Sequence, residues 1–184
     1  MSDSEGAVYE ARYGFDRRTS GVLAVAVLFS AVLLMPGTGT PLALRIAGTV
    51  LFTGGGLMMA AGSLTRKVAF RVDGTGVVLG GSPLRYRTTT VHVPWEDITE
   101  VVLWRQHLPN ASVPWVGVSR RKGAPPLPGP GQGATARALG GALVPVPVEV
   151  LLTSRAVSGW RLDKRRLAEA VAHFAPGLPI RDGH

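Results

Sequence analysis

The chain has 184 residues, of which 46% are hydrophobic and 17% are charged, and its mean hydropathy is +0.21. This composition excludes a disordered polar chain, and the length leaves room for one modest domain beside any other segment. The sequence has no cysteine, which excludes disulfides, thiolate catalysis, cysteine-ligated zinc and iron–sulfur clusters. Arginine far outnumbers lysine, as is typical of a GC-rich bacterial genome, so the net charge of +8 is weak evidence for nucleic-acid binding.

Two long apolar stretches separate the N-terminus from the rest of the chain. The first covers about residues 19–36 and would form roughly 27 Å of helix at ~1.5 Å per residue. The second covers residues 42–64, with Arg45 as its single charge. Both lengths suit the ~30 Å hydrocarbon core of a bilayer, and the PGTGTP sequence between them ends one helix and begins the next. The pattern predicts a transmembrane hairpin over residues 19–64.

Two other interpretations of these stretches are less favoured. A buried helix of a soluble protein normally has a polar stripe at 3.6-residue spacing, and neither stretch has one. A secretory signal peptide would begin with a basic region, but the residues before the first stretch include Asp3, Glu5, Glu10 and Asp16.

Basic residues at the outer ends of the hairpin predict its orientation. Arg17 and Arg18 precede the first helix, Arg66 and Lys67 follow the second, and the connection between the helices has no lysine or arginine. The positive-inside rule therefore predicts a multi-pass plasma-membrane protein in which both the N-terminal tail, residues 1–18, and the C-terminus are cytoplasmic. We expect these four residues to contact the anionic membrane surface.

The pattern after residue 65 changes from helical to strand-like. Residues 67–72 (KVAFRV) and 77–81 (VVLGG) flank an Asp-Gly-Thr-Gly turn and predict a hairpin. Four more β-rich stretches follow, at residues 84–93, 98–105, 113–120 and 146–153. Six short strands predict an antiparallel barrel or sandwich, within an α+β membrane protein.

The end of the chain predicts one helix. Leu167, Ala170, Val171 and Phe174 share a face, and Asp163 is placed to cap the helix before them. Residues 121–145 are rich in proline and glycine and predict a loop between two strands. This loop includes a GxGxxA match at residues 131–136, but it lacks the preceding strand that a dinucleotide site requires. Residues 178–184 are expected to form a tail.

Three stretches carry a resemblance to a known family. They are residues 70–77 (FRVDGTGV), 93–98 (VPWEDI) and 160–163 (WRLD). With them, residues 66–177 and the hairpin ahead of them resemble the bacterial PH-like domains of small membrane proteins, including the actinobacterial low molecular weight antigen type. Residues 65–177 are therefore expected to form a PH-like domain. The resemblance implies about seven strands in a strongly bent sheet, capped by a C-terminal helix. It does not extend to inositol-phosphate recognition, because the turn at residues 73–76, interpreted as the first hairpin turn, has no basic residue.

The polar residues give little support to catalysis. The four histidines have no paired ligand spacing, so neither a metal nor a cofactor is expected. Glu96 and Asp97 could act as acid and base in a cleft, although a solvated turn between Trp95 and Ile98 is the simpler interpretation. The Arg85-Tyr86-Arg87 sequence alone is too small for a nucleic-acid surface, and its role stays open between membrane contact and solubility.

We therefore expect a non-enzymatic, membrane-tethered PH-like interaction module. Its expected partners are the lipid bilayer and a protein, a peptide or an anionic membrane surface on the cytoplasmic side, with no nucleic acid. The alternative is a lipid-acting enzyme, or a subunit of a membrane enzyme complex, with Glu96 or Asp97 as the acid/base residue.

Overall fold

The computed structural model describes residues 7–36, 39–108, 111–125, 127 and 146–183. These residues form an α+β fold with two sheets and several helices. The strands are β1 (Tyr9–Arg12), β2 (Val68–Asp73), β3 (Gly76–Leu79), β4 (Val91–Pro94), β5 (Ile98–Leu108), β6 (Ala111–Arg120), β7 (Ser154–Ala156) and β8 (Ile180–Asp182). The helices are α1 (Arg17–Leu34), α2 (Leu42–Leu64), α3 (Tyr86–Thr89), α4 (Val148–Leu152) and α5 (Lys164–Phe174). Most of the loop predicted at 121–145, with its GxGxxA sequence, lies outside the described residues.

The two sheets share one hydrophobic core with α5. The first sheet has the order β1-β2-β3-β4 with antiparallel neighbours, and the second has the order β7-β6-β5-β8, in which β8 runs parallel to β5. Phe70, Val116 and Leu167 are fully buried in this core, one from each layer. Burial of each such side chain contributes roughly 1.5–3 kcal/mol, so the core joins both sheets to the C-terminal helix.

The first strand, β1, was not anticipated from the sequence. It lies within the predicted N-terminal tail and pairs with β2, although the two long helices separate these strands in the sequence. Tyr9 is opposite Val72 and Ala11 is opposite Phe70. Tyr9 and Ala11 are buried, so β1 presents one face to the core. The helices α1 and α2 are therefore an insertion between two adjacent strands of one sheet.

The two long helices pack against each other along their length. Asp16 caps α1, because its side chain accepts a hydrogen bond of 2.6 Å from the Thr19 amide. Ser30 and Thr53 share a hydrogen bond of 2.9 Å across the helices. A Cβ placed on Gly56 would lie 3.4 Å from the Ala26 side chain, so these two small residues permit a close approach of the helices.

The two apolar helices differ in length and in regularity. By length and hydropathy, α2 is the one helix of the described residues that suffices to cross a bilayer, with 23 residues and a hydropathy of 1.5, whereas the apolar part of α1, Thr19–Leu34, is shorter. Five residues of α2, Val50–Gly54, form a π-helical turn that ends at the first residue of the Gly54-Gly55-Gly56 sequence. The Arg45 guanidinium donates to the carbonyls of Leu33, Leu34 and Met35, and thereby caps the end of α1.

Two of the six predicted strands are wrong in whole or in part. Within residues 84–93, a 3₁₀ turn and α3 come first and only Val91–Pro94 is extended. The hydroxyls of Thr89 and Thr90 donate back to the carbonyls of Arg85 and Tyr86, which stabilises the helical turn over a strand. Residues 146–153 were predicted as a strand from their alternation, but Pro147 precedes α4 instead. The strand lies further on, at β7.

The C-terminal helix is confirmed. The amide of Arg166 donates to the Asp163 side chain at 3.0 Å, and the helix ends at Phe174 before the Ala-Pro-Gly sequence. Leu167, Ala170 and Val171 are buried against the sheets. The chain does not end as a featureless tail, because β8 then adds a parallel strand to β5.

Candidate functional site

Two short connections join the β domain to the long helices, and we call them the crossings. At the first, β1 leads into α1, and the Tyr13 amide donates to the carbonyl of Lys67 at 2.9 Å. At the second, α2 leads into β2 through Arg66, whose φ of 48° is left-handed. A left-handed residue just after a helix is a common way to end it, although glycine usually occupies the position. Arg12 also donates a hydrogen bond to the carbonyl of Arg66, so the two crossings are in direct contact.

A basic pocket lies beside the second crossing. It has a volume of about 390 Å³ and is lined by Lys67, Arg85, Tyr86, Arg87 and Thr88. Both arginines are exposed, whereas Lys67 and Tyr86 are half-buried. The Lys67 Nζ lies 5.3 Å from the centre of the Tyr86 ring, a cation–π distance. We call this the basic pocket.

The segment that forms the basic pocket is fixed to β2 and to α2. Lys67 Nζ donates to the Pro83 carbonyl at 2.9 Å, and the Tyr86 hydroxyl donates to the Val68 carbonyl at 2.9 Å. On its other side, Pro83 faces the last turn of α2, where a Cβ on Gly62 would lie 3.5 Å away. The two arginines are therefore carried on a turn with defined contacts, at the level where α2 ends.

Pro83 also separates the basic pocket from an apolar crevice. This crevice has a volume of about 320 Å³ and lies between the end of α2 and the domain. Its lining includes Met58, Met59, Gly62 and Pro83 together with Tyr13. The Tyr13 hydroxyl donates to the Gly81 carbonyl at 3.1 Å, and burial raises the pKa of Tyr13. The crevice is thus walled by the helix on one side and by the segment before α3 on the other.

The cations of the basic pocket differ from most others in the domain. In the described part of the chain, carboxylates contact Arg12, Arg71, Arg120, Arg121, Lys164, Arg165 and Arg181. No carboxylate within that part lies at ion-pair distance from Lys67, Arg85 or Arg87. The pocket therefore offers positive charge to an external anion.

The far end of the domain contains the carboxylates that the sequence singled out. Asp97 is buried, unlike the solvated turn residue that the sequence favoured, and it accepts from Arg121 Nε at 2.8 Å and Arg120 at 3.2 Å. Burial opposes ionisation, but the hydrogen bonds from the two arginines outweigh it and hold the pKa of Asp97 below its ordinary value. Glu96 is exposed. Asp97 is thus an ionised structural acceptor in this fold.

The four residues predicted to contact the membrane surface lie at three places in the fold. Arg17 and Arg18 begin α1, and Arg17 is exposed. Arg66 lies at the end of α2, and Lys67 belongs to the basic pocket. Arg85 and Arg87, whose role was open at the sequence level, are the residues that the fold brings next to Lys67. Their basic, aromatic spacing was visible in the sequence, but their proximity to the helix end was not.

The geometry of the basic pocket suits binding of an anion rather than proton transfer. Lysine and arginine, which line the pocket, donate charge-assisted hydrogen bonds to phosphate and carboxylate oxygens. Comparisons of the chain with family models, curated proteins and solved structures find no match.

Proposed function

We propose that the chain is a non-enzymatic, membrane-tethered interaction module. In this proposal, α1 and α2 form a transmembrane hairpin in the plasma membrane of a bacterium. The two sheets and α5 form a PH-like domain on the cytoplasmic side, where it binds a protein, a peptide or the anionic membrane surface. The observation that carries the proposal is the pairing of β1 with β2. These strands precede and follow, in the sequence, two helices whose outer surfaces are apolar.

The surface of the helices supports membrane insertion. Every exposed large apolar side chain of the described residues, except Phe15, lies between Val22 and Leu64. A continuous apolar surface of this extent is unusual on a soluble monomer and needs a partner that covers it. Lipid covers such a surface on all sides, and the short α1 is extended by Met35 and Pro36 at its outer end.

The strand pairing supports a two-span topology. Arg12 at the end of β1 and Val68 at the start of β2 are register partners. Paired strands lie about 4.8 Å apart, so the chain must return to the side of the membrane from which it left. If α2 alone spanned the membrane, β1 and β2 would lie on opposite sides of the bilayer. The basic residues at both crossings then favour the cytoplasmic side.

The order of the strands supports the PH-like interpretation. The strands β1 to β4 form an antiparallel meander, β5 to β7 form a second one, and α5 follows. This gives seven strands and a C-terminal helix, as the resemblance implies, with β8 as an addition. The turn at residues 73–76 joins β2 to β3, so it is the second connection of the sheet and not the first. In this domain the helices occupy the first connection.

The enzyme alternative rests on Glu96 and Asp97. The contacts of Asp97 with Arg120 and Arg121 give it a structural role, since its lowered pKa leaves it without the proton that a general acid needs and makes it a weaker general base. These contacts favour the binding module over the enzyme.

Single-cysteine labelling tests the topology, because the chain has no cysteine of its own. Thr40→Cys, in the connection between the helices, should react with a membrane-impermeant maleimide in intact bacterial cells from which any outer membrane has been removed. Gly183→Cys should react only after lysis. Labelling of Gly183→Cys in intact cells would contradict the proposal, as would release of the protein from membranes by alkaline carbonate. Photo-crosslinking from Arg87 in membranes then identifies what the domain contacts.

A further inference from the structure

We infer that the basic pocket binds the phosphate headgroup of an anionic phospholipid from the leaflet in which the helices end. This inference rests on the proposed membrane insertion and deepens it, since it assigns a ligand class to one pocket. Three cations, Lys67, Arg85 and Arg87, line the pocket. In the described part of the chain these cations have no carboxylate partner.

The depth of the pocket matches a headgroup. The last residue of α2 is Leu64, and Lys67 follows three residues later. The Pro83 side chain faces Gly62 in the final turn of the same helix. A transmembrane helix ends in the interfacial region, so Arg85 and Arg87 would lie among lipid phosphates and not in bulk water.

The pocket is also held in shape before any ligand binds. Lys67 Nζ is fixed by the Pro83 carbonyl and lies over the Tyr86 ring, while the Tyr86 hydroxyl is fixed by the Val68 carbonyl. The hydroxyls of Thr88 and Thr89 both donate to the carbonyl of Arg85, which closes the turn that carries the two arginines. A site arranged in advance loses less conformational entropy on binding than a loose surface patch.

The apolar crevice on the other side of Pro83 fits the same occupant. Met58, Met59 and Gly62 belong to the last two turns of α2, and the crevice is continuous with the exposed apolar surface of that helix. A lipid whose phosphate is in the basic pocket could place an acyl chain there. Soluble phosphate has no such part, which distinguishes a lipid from free phosphate.

The test uses the purified full chain in a neutral detergent and native mass spectrometry of retained lipids. We compare phosphatidylglycerol with phosphatidylcholine for the parent, for Arg85→Gln/Arg87→Gln, and for the control Lys122→Gln/Arg165→Gln. The control removes the same charge, and both of its residues are exposed outside the pocket. The parent and the control should retain phosphatidylglycerol in preference to phosphatidylcholine. The pocket variant should bind phosphatidylglycerol more weakly than the parent, by a factor of about ten or more. An excess of inorganic phosphate should not displace the lipid from the parent.

Three results would overturn the inference: equal retention of the two lipids by the parent, equal weakening in the pocket and control variants, or displacement by inorganic phosphate. A pocket variant that keeps the lipid but loses photo-crosslinks to a protein would reassign the pocket to that protein. Carbonate extraction of each variant separates this outcome from failure of the proposed membrane insertion, which would release all three proteins. A melting temperature of the pocket variant equal to that of the parent establishes that the variant is folded.

Discussion

At the far end of the β domain, Arg120 and Arg121 both contact the carboxylate of Asp97, whereas beside the helix ends Arg85 and Arg87 surround an open pocket. The two ends are about 17 Å apart along β2, at ~3.3 Å per residue. Both are basic in sequence, yet the far end uses its arginines to hold the fold and the helix end presents them outward. The role of a basic cluster in the sequence therefore depends on whether the fold brings a carboxylate next to it.

Arg155 has a third role, since it connects the two sheets, and its substitution should have the largest effect on stability. It belongs to β7 in the second sheet, and its guanidinium donates to the carbonyls of Gly80 and Thr89 near the first sheet. Burial lowers its pKa, and nearby Tyr13 opposes that shift. Arg155→Met leaves these carbonyls without their donor, so we expect the free energy of unfolding to fall by about 3 kcal/mol.

Urea unfolding of the detergent-solubilised chain measures this loss. Arg105→Met is the matched control, because Arg105 is exposed on β5 and should change stability by less than about 0.5 kcal/mol. Equal effects of the two substitutions would show that Arg155 does not join the sheets.

Acid should weaken the far end, through Asp97. The folded-state pKa of this carboxyl is lowered, so its contribution to stability is complete above the pKa of the unfolded chain, near 4. The contribution is lost as the pH falls through the lower folded value. Melting temperatures measured from pH 7 to pH 3 should fall less steeply below pH 4 in Asp97→Asn than in the parent. Asp16 and Asp73, whose pKa values are also lowered, leave part of the acid dependence in both proteins.

The smallest effect is expected at Arg66, where the two crossings meet. Its left-handed backbone is unfavourable for a residue with a Cβ, and glycine adopts it freely. Arg66→Gly should raise the free energy of unfolding by about 0.5 kcal/mol relative to Arg66→Ala, which removes the same charge and keeps the Cβ. Thermal unfolding of the two variants compares them directly, and a more stable alanine variant would contradict the argument.

The sequence was informative where a pattern is local. The helix α5 has its cap and its apolar face within a dozen residues, and β2 and β3 flank a strong turn sequence. The strand β1 has four residues and a partner more than fifty residues away, so its strand character comes from tertiary pairing alone. In α4, Val148 and Val150 suggest alternation, but Val150 is buried against Val102 and Trp104 as part of a helix.

The sequence predicted only part of the candidate site, because only part of it is formed by residues that are close together in the sequence. Lys67 follows an apolar helix directly, and that neighbourhood is visible in the sequence. Arg85 and Arg87 reach the helix end only because Pro83 packs on Gly62, a contact between residues 21 positions apart. The partners of Asp97 are the last residue of β6 and the residue after it, 23 and 24 positions from Asp97, so the sequence shows the charges without their pairing.

If the helices are inserted in a bilayer, as proposed, their position between β1 and β2 has a mechanical consequence. A domain held by one linker can swivel about it, but this domain is attached through two adjacent strands, at the end of β1 (Arg12) and at the start of β2 (Val68). The carbonyl of Arg66 and the guanidinium of Arg12 further join the two attachments. Two neighbouring attachments act as a hinge with a single axis, so torque on the domain is transmitted to the helices instead of being lost in a swivel. Under the proposed insertion, a partner that tilts the domain would therefore also turn the helix pair within the lipid.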